Sequence, residues 1–269
     1  MPVDYKNIFK KAYDAFREET GHAFSDRDIV IRGFASDNAK QIFDSFKAEF
    51  GFCGGDVTEE HIKTVVAEAF VYGNSVDRDV SGILIREDMD ASEHNVLHIL
   101  LHELSHIFIT LNEIEGGHFY DRFCASNPKT ETERIEDGYM NAGYAIWREL
   151  AAEIMATSID PRPRYYLSDE SDAIQEAVHS LQSGECDAKT VMHNLLVDVV
   201  FSSEFAEKTW QEIEPLLRKE GIPFPKTIEM IYYQLEQKRF YYITPEFIYK
   251  LGTMYLTELS VLYCQSQRI

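Results

Sequence analysis

The sequence predicts an α+β fold, predominantly α, and three observations carry that expectation. Two β-branched runs, DIVIRGF (28–34) and SGILIRED (81–88), read as short strands, and both fall near the N-terminal end. Apolar residues spaced three and four apart dominate much of the remainder, as in helices with one buried face. Beyond DPRPR (160–164) the chain reads as helices to its end, with only RFYYIT (239–244) ambiguous.

The elements follow in order. A helical pattern runs to about Thr20, and DIVIRGF comes next. Two further helical stretches are expected after it, separated by a turn at Gly51, Gly54 and Gly55. SGILIRED is the second strand. Asp90 and Glu93 then form a D-x-x-E capping box, which predicts a helix from about Ala91. Leu97, Leu100, Leu101, Leu104 and Phe108 mark its apolar stripe, and Ile99 and Ile107 widen that surface, so this helix is buried. From Leu111 to about Gly143 the sequence is irregular, longer than ordinary connections in compact domains. YAIWRELAAEIMATS signals the next helix, which the prolines of DPRPR end.

A chain of 269 residues suffices for one large domain or two modest ones, each with an apolar core. The expected division is an N-terminal α/β subdomain (1–112) with a small sheet, a connecting segment (113–143) able to cover a cleft, and a helical subdomain (144–269). A formal charge of −20 disfavours nucleic acid and anionic membranes as partners, since either would call for clustered Lys and Arg. It reads instead as a solubility feature. Cys53, Cys124, Cys186 and Cys264 are spread singly, as ordinary thiols are in a reducing compartment. The N-terminal segment lacks the apolar core of a secretory signal, and no run of 18 apolar residues occurs. The expectation is a soluble, cytoplasmic protein with no membrane partner.

The buried helix carries an unusual insertion: His102, Glu103 and His106, within LHILLHELSHIFIT. Residues four apart on a helix differ by about 40° in azimuth and roughly 6 Å in height, so both imidazoles can address one ion. Glu103, next to His102, can reach a water on that ion. An ionised carboxylate in apolar surroundings needs a partner, and a cation supplies one.

Catalytic zinc usually has three protein ligands and an open position. A third histidine six residues past the second is absent, because positions 109 and 112 are Ile and Asn. His118, beside Gly116 and Gly117, is a minor alternative. A glutamate from a separate helix fits better. In WRELAAEIMA, Glu149 and Glu153 again stand four apart, with Ala151 and Ala152 between them allowing close helix approach.

These residues resemble the gluzincin class of zinc metallopeptidases, the thermolysin-like and lethal-factor-like enzymes, over roughly residues 81 to 157. The E-x-x-A-E form is nearer the lethal-factor type. The resemblance implies that His102, His106 and Glu149 bind Zn2+, that Glu103 is the general base, and that Glu153 orients a ligand histidine. Exchange of Glu149 and Glu153 between those two roles stays open. It also implies that SGILIRED lines the cleft and pairs with a substrate backbone. The oxyanion donor is expected to be Tyr144, with Tyr139 as the other candidate. His98 is one turn before His102 and could flank the site; it and His94 read as structural or exposed. The implied activity is hydrolysis of a peptide or protein substrate inside the cell. The alternative is a metal-binding regulatory or interaction protein on a peptidase-like scaffold.

Overall fold

The structure is a computed structural model that describes residues 4–21, 28–52, 62, 65–75, 78–112, 130–162, 164, 166–169, 171–183, 195–236 and 243–266. Its class is α+β, predominantly α: a small mixed sheet and many helices. Two compact units are distinguished, Met1–Asn112 with Ala152–Pro161, and Glu113–Ala151 with Arg162–Ile269.

In the first unit, helix α1 (Tyr5–Thr20) starts at Asp4, whose side chain accepts from the Asn7 amide at 3.2 Å. It ends at Gly21, whose φ of 65° is a left-handed conformation that glycine adopts without a Cβ penalty. Strands β1 (Asp28–Phe34), β2 (Ala67–Ser75) and β3 (Arg78–Arg86) form a sheet of order β1-β3-β2 among the described residues, with helix α2 (Ala39–Phe50) between the first two in sequence. The β1–β3 pairing is parallel and the β2–β3 pairing antiparallel, so Ile83 lies opposite both Ile31 and Ala69.

Side chains alternate across the sheet with the period of two that a strand dictates. Ile29, Ile31, Ala67, Ala69, Val71, Ile83 and Ile85 join one core cluster with Ile8, Ala12 and Phe16 of α1. Val30, Phe34, Phe70, Val80 and Leu84 join the other, with Phe43 and Phe46 of α2.

Strand β2 replaces helix over residues 67–75; of the stretch expected to be helical beyond Gly55, Ile62 is described and is helical, and residues 53–61 and 63–64 lie outside the described residues. AEAFVYGNS has a two-residue alternation that only the sheet exploits, and a register irregularity between Phe70 and Gly73 interrupts it. A second correction concerns SGILIRED. Strand β3 is the central strand, bonded to a neighbour on each side, so its backbone is not available to pair with a substrate.

Helix α3 (Glu93–Leu111) packs on β2 and α1. Its cap is Ser92, whose side chain accepts from the Asn95 amide at 3.2 Å, so the helix begins two residues later than the Asp90 capping box predicts. Helix α4 (Glu131–Ile159) is longer than expected. The Thr130 amide donates to Glu133 Oε2 at 2.6 Å, and the Glu133 amide donates to Thr130 Oγ1 at 3.3 Å. This reciprocal box starts the helix well before Tyr144, and makes residues 131–143 helical where an irregular segment was expected. His118 and Tyr120 lie outside the described residues, as do Gly54, Gly55, Cys53, Cys124, Cys186 and residues 239–242 of the ambiguous RFYYIT. Met155, Ala156 and Ile159 of α4 pack into the α1/α3 core.

The second unit holds the earlier turns of α4, helical residues 195–200 and helices α5 (Ser171–Ser183), α6 (Ser203–Glu207), α7 (Trp210–Lys219), α8 (Pro225–Glu236) and α9 (Pro245–Ser266). Gly143 of α4 and Gly252 of α9 bring two backbones together, and a Cβ at Gly252 would strike the Tyr139 carbonyl. That close crossing explains why a glycine stands inside the long helix at 143. Glu258 ties α9 to the start of α8, accepting from the amides of Lys226 and Thr227 at 2.9 and 3.0 Å. Among the described residues, no helix is long and apolar enough to cross a membrane.

Candidate metal centre

Helix α3 buries Val96, Leu100, Leu101, Leu104 and Ile107 in the core. The same helix buries polar groups: His98, Glu103 and His106 are 3, 8 and 4% exposed. Burial of this kind is costly unless each group is partnered. For His98 the partner comes from α4.

Glu153 accepts from two histidines at once. Its Oε1 is 2.7 Å from His98 Nε2, and its Oε2 is 2.9 Å from His102 Nδ1. Burial acts to raise the Glu153 pKa, but the hydrogen bonds and charges of His102 and His98 outweigh it and hold the carboxyl well below the usual carboxylate range. Glu153 is therefore a carboxylate, an acceptor at both oxygens, and His102 carries its proton on Nδ1.

That tautomer leaves His102 Nε2 facing His106 Nε2 at 3.0 Å. Two ligands of a tetrahedral ion, each about 2.0–2.1 Å from it, stand about 3.3 Å apart, so this spacing suits a shared ion. Glu149 lies one turn before Glu153 on the same helix, which brings it to the same edge. One ligand atom from each of His102, His106 and Glu149 falls within 4.8 Å of the other two. The donor set of two imidazoles and a carboxylate fits a divalent ion such as zinc with a coordination position to spare.

The structure thus brings His102, His106 and Glu149 together and sets Glu153 behind His102. Glu103 follows His102 on α3 and is buried. Tyr144 precedes Glu149 by five positions on α4, about 140° around an ideal helix. Its ring lies beside that of Trp147, with centroids 6.0 Å apart. Tyr139 makes an edge contact with Tyr249 at 5.7 Å.

His98 flanks the site, as its position one turn before His102 allowed; its hydrogen bond to Glu153 is the part that the sequence reading did not foresee. The signal was present in the spacing: His94, His98, His102 and His106 recur every four residues. Glu149 and Glu153 of α4, and Asp160 just past its end, run past them in the opposite sense. Comparison with protein-family models, curated proteins and solved structures finds no match to the chain.

Proposed function

We propose that the protein is a zinc-dependent peptidase of the gluzincin type, hydrolysing peptide bonds of a peptide or protein inside the cell. The observation that carries this reading is the convergence of His102, His106 and Glu149 on one point, with Glu103 next to His102 on the same helix. A zinc ion held by His102, His106 and Glu149 would supply Lewis-acid chemistry, lowering the pKa of a water to about 7 and polarising a carbonyl. Glu103 would take the proton of that water and deliver it to the leaving amine. Glu153 keeps His102 in the tautomer that offers Nε2 to the ion. The α1/α3 core fixes the backbone of the histidine helix, so that ligand geometry is set before any ion binds. The cytoplasm is the proposed compartment, supported by cysteines spread singly along the sequence.

Replacing Glu103 with Gln separates binding from chemistry. The variant is expected to hold zinc as the parent does and to lose about 10²–10⁴-fold in peptide hydrolysis, the usual worth of a general base. A mixed peptide library read by mass spectrometry supplies the assay. Cleavage by the zinc-loaded variant at the parent's rate removes Glu103 as the base, and a zinc-loaded parent that leaves the library intact removes the peptidase reading.

A further inference from the structure

His102, Glu103, His106, Glu149 and Glu153 each have a role at the proposed metal centre; His98 and Asp160 have none. Both are poorly satisfied. His98 is 3% exposed, and its Nδ1 is buried without a hydrogen-bond partner. Asp160 Oδ2 faces that nitrogen at 3.7 Å, beyond hydrogen-bond reach, and is likewise buried without a hydrogen-bond partner. His94 Nδ1, at the exposed end of the row, is 3.6 Å from the same oxygen.

A leucine at position 98 would bury apolar surface with no unsatisfied nitrogen. The imidazole needs a reason, and its other nitrogen supplies one. His98 Nε2 makes the shorter of the two histidine hydrogen bonds to Glu153, 2.7 Å against 2.9 Å for His102. A glutamate carboxylate turns easily about its last torsion unless both oxygens are held. Thr157 Oγ1, the other donor to Oε1, is at 3.5 Å and holds it weakly.

We propose that His98 is a positioning residue of the metal centre: it clamps one oxygen of Glu153 so that the other stays on His102 Nδ1, with Asp160 behind it. The proposal rests on the metal reading of His102, His106 and Glu149. His98 does not touch the ion. It sets the plane of the carboxylate that sets the imidazole, and thus the direction of His102 Nε2 toward His106.

The test is zinc titration of metal-free protein against a chelating dye, for the parent, His98→Leu and His98→Gln. The glutamine amide N–H₂ can reach the position of Nε2 and donate to Glu153, whereas leucine cannot. Cobalt(II) replaces zinc in a parallel series, because its visible absorption reports ligand geometry. The expected result is one zinc site in all three, ~10-fold weaker in His98→Leu, with an altered cobalt spectrum, and largely restored in His98→Gln. Equal affinity and equal spectra in parent and His98→Leu overturn the positioning role, and so does a glutamine variant as weak as the leucine one. A second zinc equivalent in the parent, lost with His98, also overturns it, by making His98 and Asp160 ligands of their own ion. Absence of zinc binding by the parent fails the metal reading and this proposal together, an outcome distinct from those in which only His98 proves idle.

Discussion

The two faces of the small sheet are both covered by helix, yet they are built from different chemistry. On the α2 face, Phe34, Phe43, Phe46, Phe52 and Phe70 form a core of packed rings. Phe46 alone has the rings of Phe50, Phe52 and Phe70 within 5.2–5.7 Å. On the α3 face an apolar core is overlaid by helix residues that turn imidazoles toward a carboxylate of α4. Both faces pack closely, but only the second contains groups that are costly to bury. The contrast lies in what each face requires: the rings need nothing beyond one another, while the buried histidines need polar partners from another helix.

Substitutions on the two faces should therefore fail in different ways. Phe46→Ala is expected to lower unfolding free energy by ~3–5 kcal/mol, the range for deleting a buried ring, while leaving zinc affinity of the folded fraction unchanged. Urea denaturation with parallel zinc titration checks both; a large loss of affinity would show that the faces are not independent. Glu153→Gln should instead reach the metal centre. Zinc affinity is expected to fall about 10–100-fold by dye competition, because His102 loses its carboxylate acceptor.

The same variant has a pH signature in metal-free protein. The folded Glu153 carboxyl titrates below its ordinary value of 4.5, so the unfolded chain takes up its proton first. Its contribution to stability is complete above that ordinary value and is lost as pH falls toward the lower folded one. The gap in stability between parent and Glu153→Gln should thus be widest near neutrality and narrow in acid; a gap that widens in acid contradicts the assignment. The smallest effect belongs to the helix start. Ser92→Ala removes the cap of α3 and should cost about 1 kcal/mol in thermal unfolding, with zinc stoichiometry unchanged.

Legibility from sequence followed the same divide. β1 was readable to the residue, because Ile29, Val30 and Ile31 are β-branched and bounded by polar positions. The HELSH helix was readable because its leucines repeat at helical spacing and its histidines sit four apart. β2 was not, since Ala67, Glu68, Ala69 and Phe70 favour a helix locally and become a strand only by pairing with β3. The early turns of α4 were hidden by Gly138 and Gly143, whose cost in a helix is ordinarily a reason to end one. At Gly143 that cost is offset by the close backbone approach of Gly252, a partner far away in sequence. The hydrogen bond of His98 to Glu153 was hidden for a related reason. Its neighbours on α3 are apolar, and the carboxylate that satisfies it lies 55 residues on.

The central claim is that His102, His106 and Glu149 hold one divalent ion while Glu153 holds His102. Zinc bound per chain, measured by equilibrium dialysis and elemental analysis for the parent, Glu149→Gln and Glu153→Gln, tests it most directly. About one zinc is expected in the parent. Glu149→Gln should bind none at free zinc concentrations that saturate the parent, and Glu153→Gln should reach the parent's stoichiometry at higher free zinc. A parent without zinc contradicts the claim, as does a zinc site that survives in Glu149→Gln and disappears in Glu153→Gln.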